Sequence, residues 1–216
     1  MCCSECGCYD AFCDRCCPCV SYDAREAILC CAACLAVLAG AVLLAVLLAA
    51  YGFIRHAEVT VRDASLTRLA LAVSPATAFA YNLSLTLTVR NKNWAMSVKN
   101  TKPLEARYSF DGQPFERIRL AEEGSTQPAG DTQVYHLVSG DDGRYVALGN
   151  AGVAKFNAEN ATGMFKVEVA VSGEVRYTKC KFEAKCPLVL QLAPPGTPAV
   201  VFQEVKCKPI TADKNC

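Results

Sequence analysis

The pattern of apolar and polar positions divides the chain into two unlike parts. From Ala27 to Ile54 the sequence contains no charged residue. A run of this length exceeds the roughly 20 residues that cross the hydrocarbon core of a bilayer as a helix. Tyr51 and Phe53 lie near one end of the run, where aromatic side chains favour the membrane interface. We therefore predict a single transmembrane helix over residues 27–54.

A cleaved signal peptide and a buried core helix are the alternatives for this run. The apolar region of a signal peptide is typically about 7–15 residues long and follows a short basic leader. Here the apolar run is longer, and residues 1–26 carry two basic and five acidic residues. An uncleaved signal-anchor is therefore the favoured interpretation.

Beyond the apolar run, the hydrophobic positions recur with a period of two. In segment 82–91, Leu83, Leu85, Leu87 and Val89 alternate with polar residues, as in a strand with one buried face. No long amphipathic helix is predicted after Arg55. Similar short segments, separated by turn-forming Gly, Pro and Asp residues such as those of 139–143, lie at 104–110, 115–120, 132–139, 145–148, 164–171 with a continuation to Tyr177, 181–191 and 200–208.

The spacing of these segments predicts an all-β fold, an antiparallel β-sandwich preceded by one transmembrane helix. The sandwich would occupy residues 57–210. A cysteine-rich head of residues 1–26 precedes the helix, and residues 211–216 form a polar tail.

The head contains the first group of cysteines. Cys3-x-x-Cys6 and Cys13-x-x-Cys16 have the spacing of zinc ligand pairs, but the surplus thiols define no single tetrahedral site. Cysteines in a cytosolic segment beside a membrane helix are also candidates for S-acylation. Acylation is the favoured interpretation, with metal or redox chemistry and no defined role as alternatives. The acylation candidates are Cys2, Cys3, Cys6, Cys8, Cys13, Cys16, Cys17 and Cys19.

A second group of cysteines favours an oxidising compartment for the distal domain. Cys180, Cys186, Cys207 and Cys216 lie within the last 37 residues, and an even number of clustered cysteines suits disulfide formation. Glycosylation sequons begin at Asn82 and Asn160. We therefore expect an extracellular C-terminal domain and a cytosolic N-terminus, although the arginines flanking the apolar run lean mildly towards the opposite orientation.

The composition gives little support to catalysis or to nucleic-acid binding. His56 and His136 are the only histidines, and neither belongs to a nucleophile or zinc motif. The carboxylate pairs Glu122-Glu123 and Asp141-Asp142 fall in predicted turns. The formal net charge is +1, and no cluster of Lys or Arg is present. We expect no enzyme, no cofactor, no metal site and no nucleic-acid partner.

Short motifs in the predicted strands resemble a plant family. These are Asn82–Asn93, Tyr108–Gly112, Val175–Tyr177 and Lys185–Leu188, with Cys207 near the close. Together they resemble the late-embryogenesis-abundant group-two domain of harpin-induced-like and non-race-specific-disease-resistance-like membrane proteins, over most of residues 25–210. One departure is Asn91-Lys-Asn93, where many members have Asn-Pro-Asn.

The resemblance implies a fibronectin-like sandwich at the plasma membrane, associated with defence or stress responses and not known as an enzyme. We expect a single-pass protein, anchored in the lipid bilayer, that presents its sandwich to an unidentified protein partner at the cell-wall interface. The alternative is a membrane-tethered lipid-handling module with an acyl chain between its sheets. A filled core favours the first function, and an apolar groove favours the second.

Two residue-level hypotheses follow from the predicted strands. Cys186 and Cys207 fall on the last two strands, so we predict a Cys186–Cys207 disulfide and a Cys180–Cys216 disulfide. A Cys180–Cys186 pair and free thiols remain the alternatives. Trp94, the lone tryptophan, follows the Asn-Lys-Asn turn, and a buried anchor is favoured for it over an exposed contact residue.

Overall fold

The computed structural model describes residues 24–51, 57–73, 76–175, 180–194, 196 and 202–211. The chain divides into two compact units, with the boundary at Phe53 and Ile54. The described residues of the first unit form helix α1 (Ala24–Tyr51). The helix begins three residues before the predicted span, and the last three residues of that prediction, 52–54, lie outside the described residues. Residues 1–23 of the head also lie outside them.

Helix α1 is apolar on all sides. Residues 31–49 contain no charged side chain, and the described part of the chain has one helix long and apolar enough to cross a membrane, Cys31–Ala49. Nine leucine and valine side chains between Leu35 and Leu48 are 44–71% exposed. Hydrocarbon surface of this kind is unfavourable in water and favourable in lipid. The helix therefore has the properties of the predicted signal-anchor.

The second unit is an antiparallel β-sandwich, as the alternating pattern predicts. One sheet has the strand order β6-β2-β1-β9, and the other has the order β10-β8-β7-β3-β4, with β5 paired to β3. A helix, α2, connects β6 to β7. The elements are β1 (Glu58–Ala72), β2 (Ala78–Arg90), β3 (Val98–Phe110), β4 (Gln113–Ala121), β5 (Thr126–Gln127), β6 (Thr132–Tyr145), α2 (Asn150–Thr162), β7 (Met164–Val175), β8 (Cys180–Gln191), β9 (Val205–Lys206) and β10 (Lys208–Thr211).

Alternation places the apolar side chains between the two sheets. In β2 every second residue from Phe79 to Val89 is buried, and in β7 the same holds from Phe165 to Val171. Aromatic rings fill one end of this core. The ring of Phe156 lies 5.7 Å from Phe79 and 5.5 Å from Phe165, centroid to centroid. These distances are typical of favourable aromatic pairs, so this end is closed by packed side chains.

Strand β1 is absent from the sequence prediction because its alternation is interrupted. Val59 and Val61 are buried, but the next buried residues are Ala64 and Leu66, followed by Leu69. The pairing with β2 shifts register between Val61 and Asp63 and again between Leu66 and Arg68. Each shift changes which residues face the core, and the period-two signal is lost.

Helix α2 contradicts the expectation of an entirely β-rich distal domain. Its sequence has a weak apolar pattern, since Gly152 and Phe156 are its buried residues. The helix ends where Gly163 adopts a left-handed conformation with φ 68°, which glycine accepts without strain. The helix is thus held to the core mainly by one buried phenylalanine, Phe156, and so few buried residues give no helical period of apolar positions in the sequence.

Two predicted boundaries near the end of β6 are wrong. Residues 139–143, predicted as a turn, lie within β6. The predicted strand 145–148 is not a separate strand, because Tyr145 is the last residue of β6 and residues 146–148 lie outside any strand. The register with β2 shifts between Phe79 and Tyr81, where β6 contains one extra residue. A β-bulge accommodates the glycines and aspartates that resemble a turn in the sequence.

Candidate functional site

A loop held by two buried asparagines follows β2. Asn91 is 1% exposed, and its side-chain amide donates to the carbonyl oxygens of Met96 and Pro128 at 2.9 Å each. Its side-chain oxygen accepts from the backbone and side-chain nitrogens of Asn93 at 3.0 Å. The carbonyl of Asn93 accepts from the Gly130 amide at 2.8 Å. The Asn-Lys-Asn motif therefore fastens residues 91–97 to the turn at 128–131.

Trp94 lies on this fastened loop and is 58% exposed. The prediction of a buried anchor is wrong. The physical reason is that the buried asparagines, rather than the indole, fix the conformation of the loop. The tryptophan that follows them is left free of the core, and a contact role for it is compatible with its exposure.

The Trp94 loop lies at the end of the sandwich where β1 begins. We call this the Glu58 end, because Glu58 of β1 pairs with Arg90 of β2, directly before the loop. The Glu58 carboxylate lies 3.0 Å from the Lys92 ammonium and 3.6 Å from the Lys206 ammonium. The hydrogen bond from Lys92 lowers the pKa of Glu58.

Two further basic residues flank the loop. Arg90 and Lys99 are exposed, and within the described part of the chain neither forms an ion pair. Glu122 and Glu123 lie in the neighbouring turn, where the Gly124 amide donates to the carbonyl of Asn100, the residue after Lys99. The Glu122 carboxylate pairs with the Arg119 guanidinium at 3.1 Å. Sequence analysis did not single out Arg90 and Lys99. The feature of the sequence that could have identified them is that both lie within five residues of a tryptophan in a predicted loop.

The segment that contains Cys207 joins the two sheets. Strand β9 pairs with β1 in one sheet, and β10 pairs with β8 in the other. Cys207 forms the predicted disulfide with the buried Cys186, with 4.3 Å between Cα atoms, and its amide donates to the Val59 carbonyl at 3.0 Å. Cys216 and the side chain of Cys180 lie outside the described residues, so the second disulfide stays a prediction.

Both glycosylation sequons place their asparagine on the surface. Asn82 is exposed in the middle of β2, and Gly140 lies opposite it on β6 without a side chain. Asn160 is exposed on α2, in a segment where sequence analysis expected no helix. Glycosylation at the two sites stays a prediction. The eight cysteines predicted to be acylated lie outside the described residues.

A polar cluster links the sheets near the β4 and β6 strands. The Tyr81 hydroxyl donates to a Glu116 carboxylate oxygen at 2.5 Å, and Arg144 contacts the other oxygen at 2.9 Å. Burial, followed by the hydrogen bond to Glu116, raises the pKa of Tyr81 above its usual range. Burial likewise raises the pKa of Tyr108. The Tyr81–Glu116–Arg144 contacts join β2, β4 and β6 at this point of the sandwich.

A cleft of about 380 Å³ lies beside β1, where β8 and residues 202–205 approach it. Ala64, Met164, Val189 and Phe202 contribute to its walls, together with polar groups such as Gln191. Its size is near the lower limit for small-molecule sites. Among the described residues, no group of three or more His, Cys, Asp or Glu side chains is arranged to hold a metal ion.

Comparison with known proteins relates the chain to one plant protein over about half of its length. No family model matches the chain. The chain is 31% identical over 118 residues to NDR1/HIN1-like protein 10 of Arabidopsis thaliana. This similarity supports membership of the NDR1/HIN1-like family. The alignment covers 54% of this chain and 49% of the relative, so the chain matches about half the length of that protein.

The similarity to NDR1/HIN1-like protein 10 agrees with the resemblance seen in the sequence motifs. Together with the apolar helix, it is consistent with a membrane-anchored protein of this kind. The NDR1/HIN1-like family is not known as one of enzymes.

Proposed function

We propose that the chain is a single-pass, non-enzymatic protein of the plant plasma membrane that presents its β-sandwich outside the cell to a protein partner. Its role would lie in defence or stress responses, as the family resemblance suggests. The observation that carries the proposal is a sandwich whose core is filled by its own side chains. Phe79, Tyr108, Phe110 and Phe165 are each 0% exposed, so recognition would use the outer surface.

The orientation is the first part of this proposal to test. Full-length chain is made in plant microsomes, alongside an Asn82→Gln/Asn160→Gln double variant. For the wild type, we expect a distal domain that resists added protease and a mass that falls on endoglycosidase treatment. The double variant would have the lower mass without treatment. A distal domain that is digested and carries no glycan would place it in the cytosol and overturn the proposal.

We also propose S-acylation of the head for some of the eight cysteines from Cys2 to Cys19. Each acyl chain contributes about 0.8 kcal/mol of membrane affinity per buried CH₂, enough to hold this segment against the inner leaflet. Acyl exchange with hydroxylamine would label an acylated head. An unlabelled head in protein from plant membranes would contradict the acylation.

A lipid-handling module is the alternative function, and the cleft beside β1 is the observation that favours it. A Val189→Phe substitution, at a cleft residue that is 53% exposed, would place a ring where an acyl chain would enter. Mass spectrometry of lipid retained by the purified full chain, with and without this substitution, separates the two functions. Retained lipid that the substitution displaces would favour lipid handling, and no retained lipid would favour the interaction protein.

A further inference from the structure

We propose that the Trp94 loop is a second membrane contact, in which the indole enters the interface of the bilayer that holds α1. Arg90 and Lys99 would lie against the phosphate groups of the lipids. This inference rests on the membrane-anchoring part of the proposed function, and it holds for either orientation of the chain.

The first argument is that the exposure of Trp94 is built into the fold. Asn91 and Asn93 are 1% and 5% exposed, and their hydrogen bonds fix residues 91–97 from both sides. The loop is therefore preorganised, and presenting the indole needs no rearrangement. Trp94 is therefore available for contact with another surface, with both its apolar ring and its polar N–H.

The second argument comes from the covalent chain. Tyr51 is the last residue of α1 and Glu58 is the first residue of β1. Because Glu58 pairs with Arg90, directly before the loop, the loop belongs to the end of the sandwich at which the chain arrives after α1.

The third argument is chemical. Tryptophan favours the membrane–water interface, where its ring meets acyl chains and its N–H meets polar groups. Exposed basic residues near a bilayer are attracted to lipid phosphates and anionic headgroups. Arg90 and Lys99 are exposed and, among the described residues, unpaired, whereas Lys92 is engaged by Glu58. An interfacial tryptophan beside free basic side chains matches a phospholipid surface.

The chain offers a direct probe, because Trp94 is its single tryptophan. Full-length protein is reconstituted in nanodiscs of phosphatidylcholine and phosphatidylserine, with or without bromine on the acyl chains close to the headgroup. Bromine quenches an indole only at short range. We expect Trp94 emission to be lost in the brominated nanodiscs and to be blue-shifted relative to the same protein in which the loop is unfolded by denaturant.

A matched control moves the probe to the other end of the sandwich. Tyr145 is 65% exposed and pairs with Ala78, at the opposite end of β2 from Arg90. The Trp94→Phe/Tyr145→Trp variant carries its single tryptophan there, with similar exposure. We expect its emission to be the same in brominated and unbrominated nanodiscs.

Charge reversal tests the basic residues. Lys99→Glu should reduce the quenching of Trp94, whereas Lys166→Glu, an equal charge change at an exposed site on β7, should leave it unchanged. Equal quenching at positions 94 and 145, or no quenching at 94 in protein that remains inserted in the nanodisc, would overturn the proposal. Emission that is blue-shifted but insensitive to bromine would also overturn it, and would place Trp94 against protein. None of these results alters the glycosylation and protease outcomes that decide the proposed function.

Discussion

At the scale of single residues, Asn91 shows how one buried amide orders a loop. It has both a donor and an acceptor, and it uses them on Met96, Pro128 and Asn93. Removing a buried partner of this kind leaves carbonyl and amide groups desolvated without a hydrogen bond. The Asn-Lys-Asn motif therefore has a structural role, and it would affect function by fixing the loop that carries Trp94.

The first prediction concerns this asparagine. We expect Asn91→Ala to lower the free energy of unfolding of the sandwich by about 2–3 kcal/mol, because several buried polar groups lose their partner. Trp94→Ala should change it by less than about 0.5 kcal/mol, as for other exposed positions. Denaturant titration of the full chain, followed by circular dichroism, measures both. A larger effect for Trp94→Ala than for Asn91→Ala would contradict the roles described here.

Sequence analysis assigned Trp94 to the wrong environment for an identifiable reason. Large aromatic residues are buried on average, and in loops no alternation of apolar residues corrects this expectation. The two polar neighbours occupy the interior position instead. Asn91 and Asn93, one residue apart, are residues whose side chains commonly hydrogen-bond the backbone of a turn. That these side chains are buried becomes evident only in the fold.

At the scale of elements, regular strands were predictable and interrupted ones were not. Strands β2, β7 and β8 bury every second residue over most of their length, and β3 does so from Leu104 to Phe110. For these stretches the sequence indicates both the strand and its buried face. Strand β1 contains two register shifts, and α2 contributes few buried residues. In both, tertiary contacts decide the local structure, and a pattern within one segment carries too little of that information.

The second prediction concerns how α2 closes the core. Phe156 is 4% exposed, with its ring near those of Phe79, Phe110 and Phe165. We expect Phe156→Ala to cost about 3–5 kcal/mol, the range for a buried phenylalanine. Asn157→Ala, on the exposed side of the same helix, should be nearly neutral. Thermal unfolding of the two variants makes the comparison, and equal midpoints would show that α2 does not seal the core.

At the scale of the whole molecule, the sandwich is completed by a short segment that belongs to both sheets. The Cys186–Cys207 disulfide fastens this segment to β8. The antiparallel sandwich and this disulfide were predictable from strand patterning and cysteine placement. The pairing of β9 with β1 was not, because two-residue strands have no pattern.

The third prediction concerns the disulfide. We expect a Cys186→Ala/Cys207→Ala variant to lose about 2–4 kcal/mol of stability, since the bond closes a loop of 21 residues and restricts the unfolded chain. Reductant should destabilise the wild type more than the variant, because the variant has already lost the Cys186–Cys207 bond. Non-reducing peptide maps of the wild type should contain the Cys186–Cys207 pair, and a Cys180–Cys186 peptide would contradict it.

The pairing of β1 with β9 has a consequence for synthesis. Val61 pairs with Val205, so the first strand of the sandwich to leave the ribosome is completed by one of the last. At about 5–20 residues per second, that interval is roughly 7–30 s. Throughout it one edge of β1 has no partner at the Val61 position, and distant pairings of this kind also slow folding. The nascent domain thus depends on protection of its first strand until its final strands emerge.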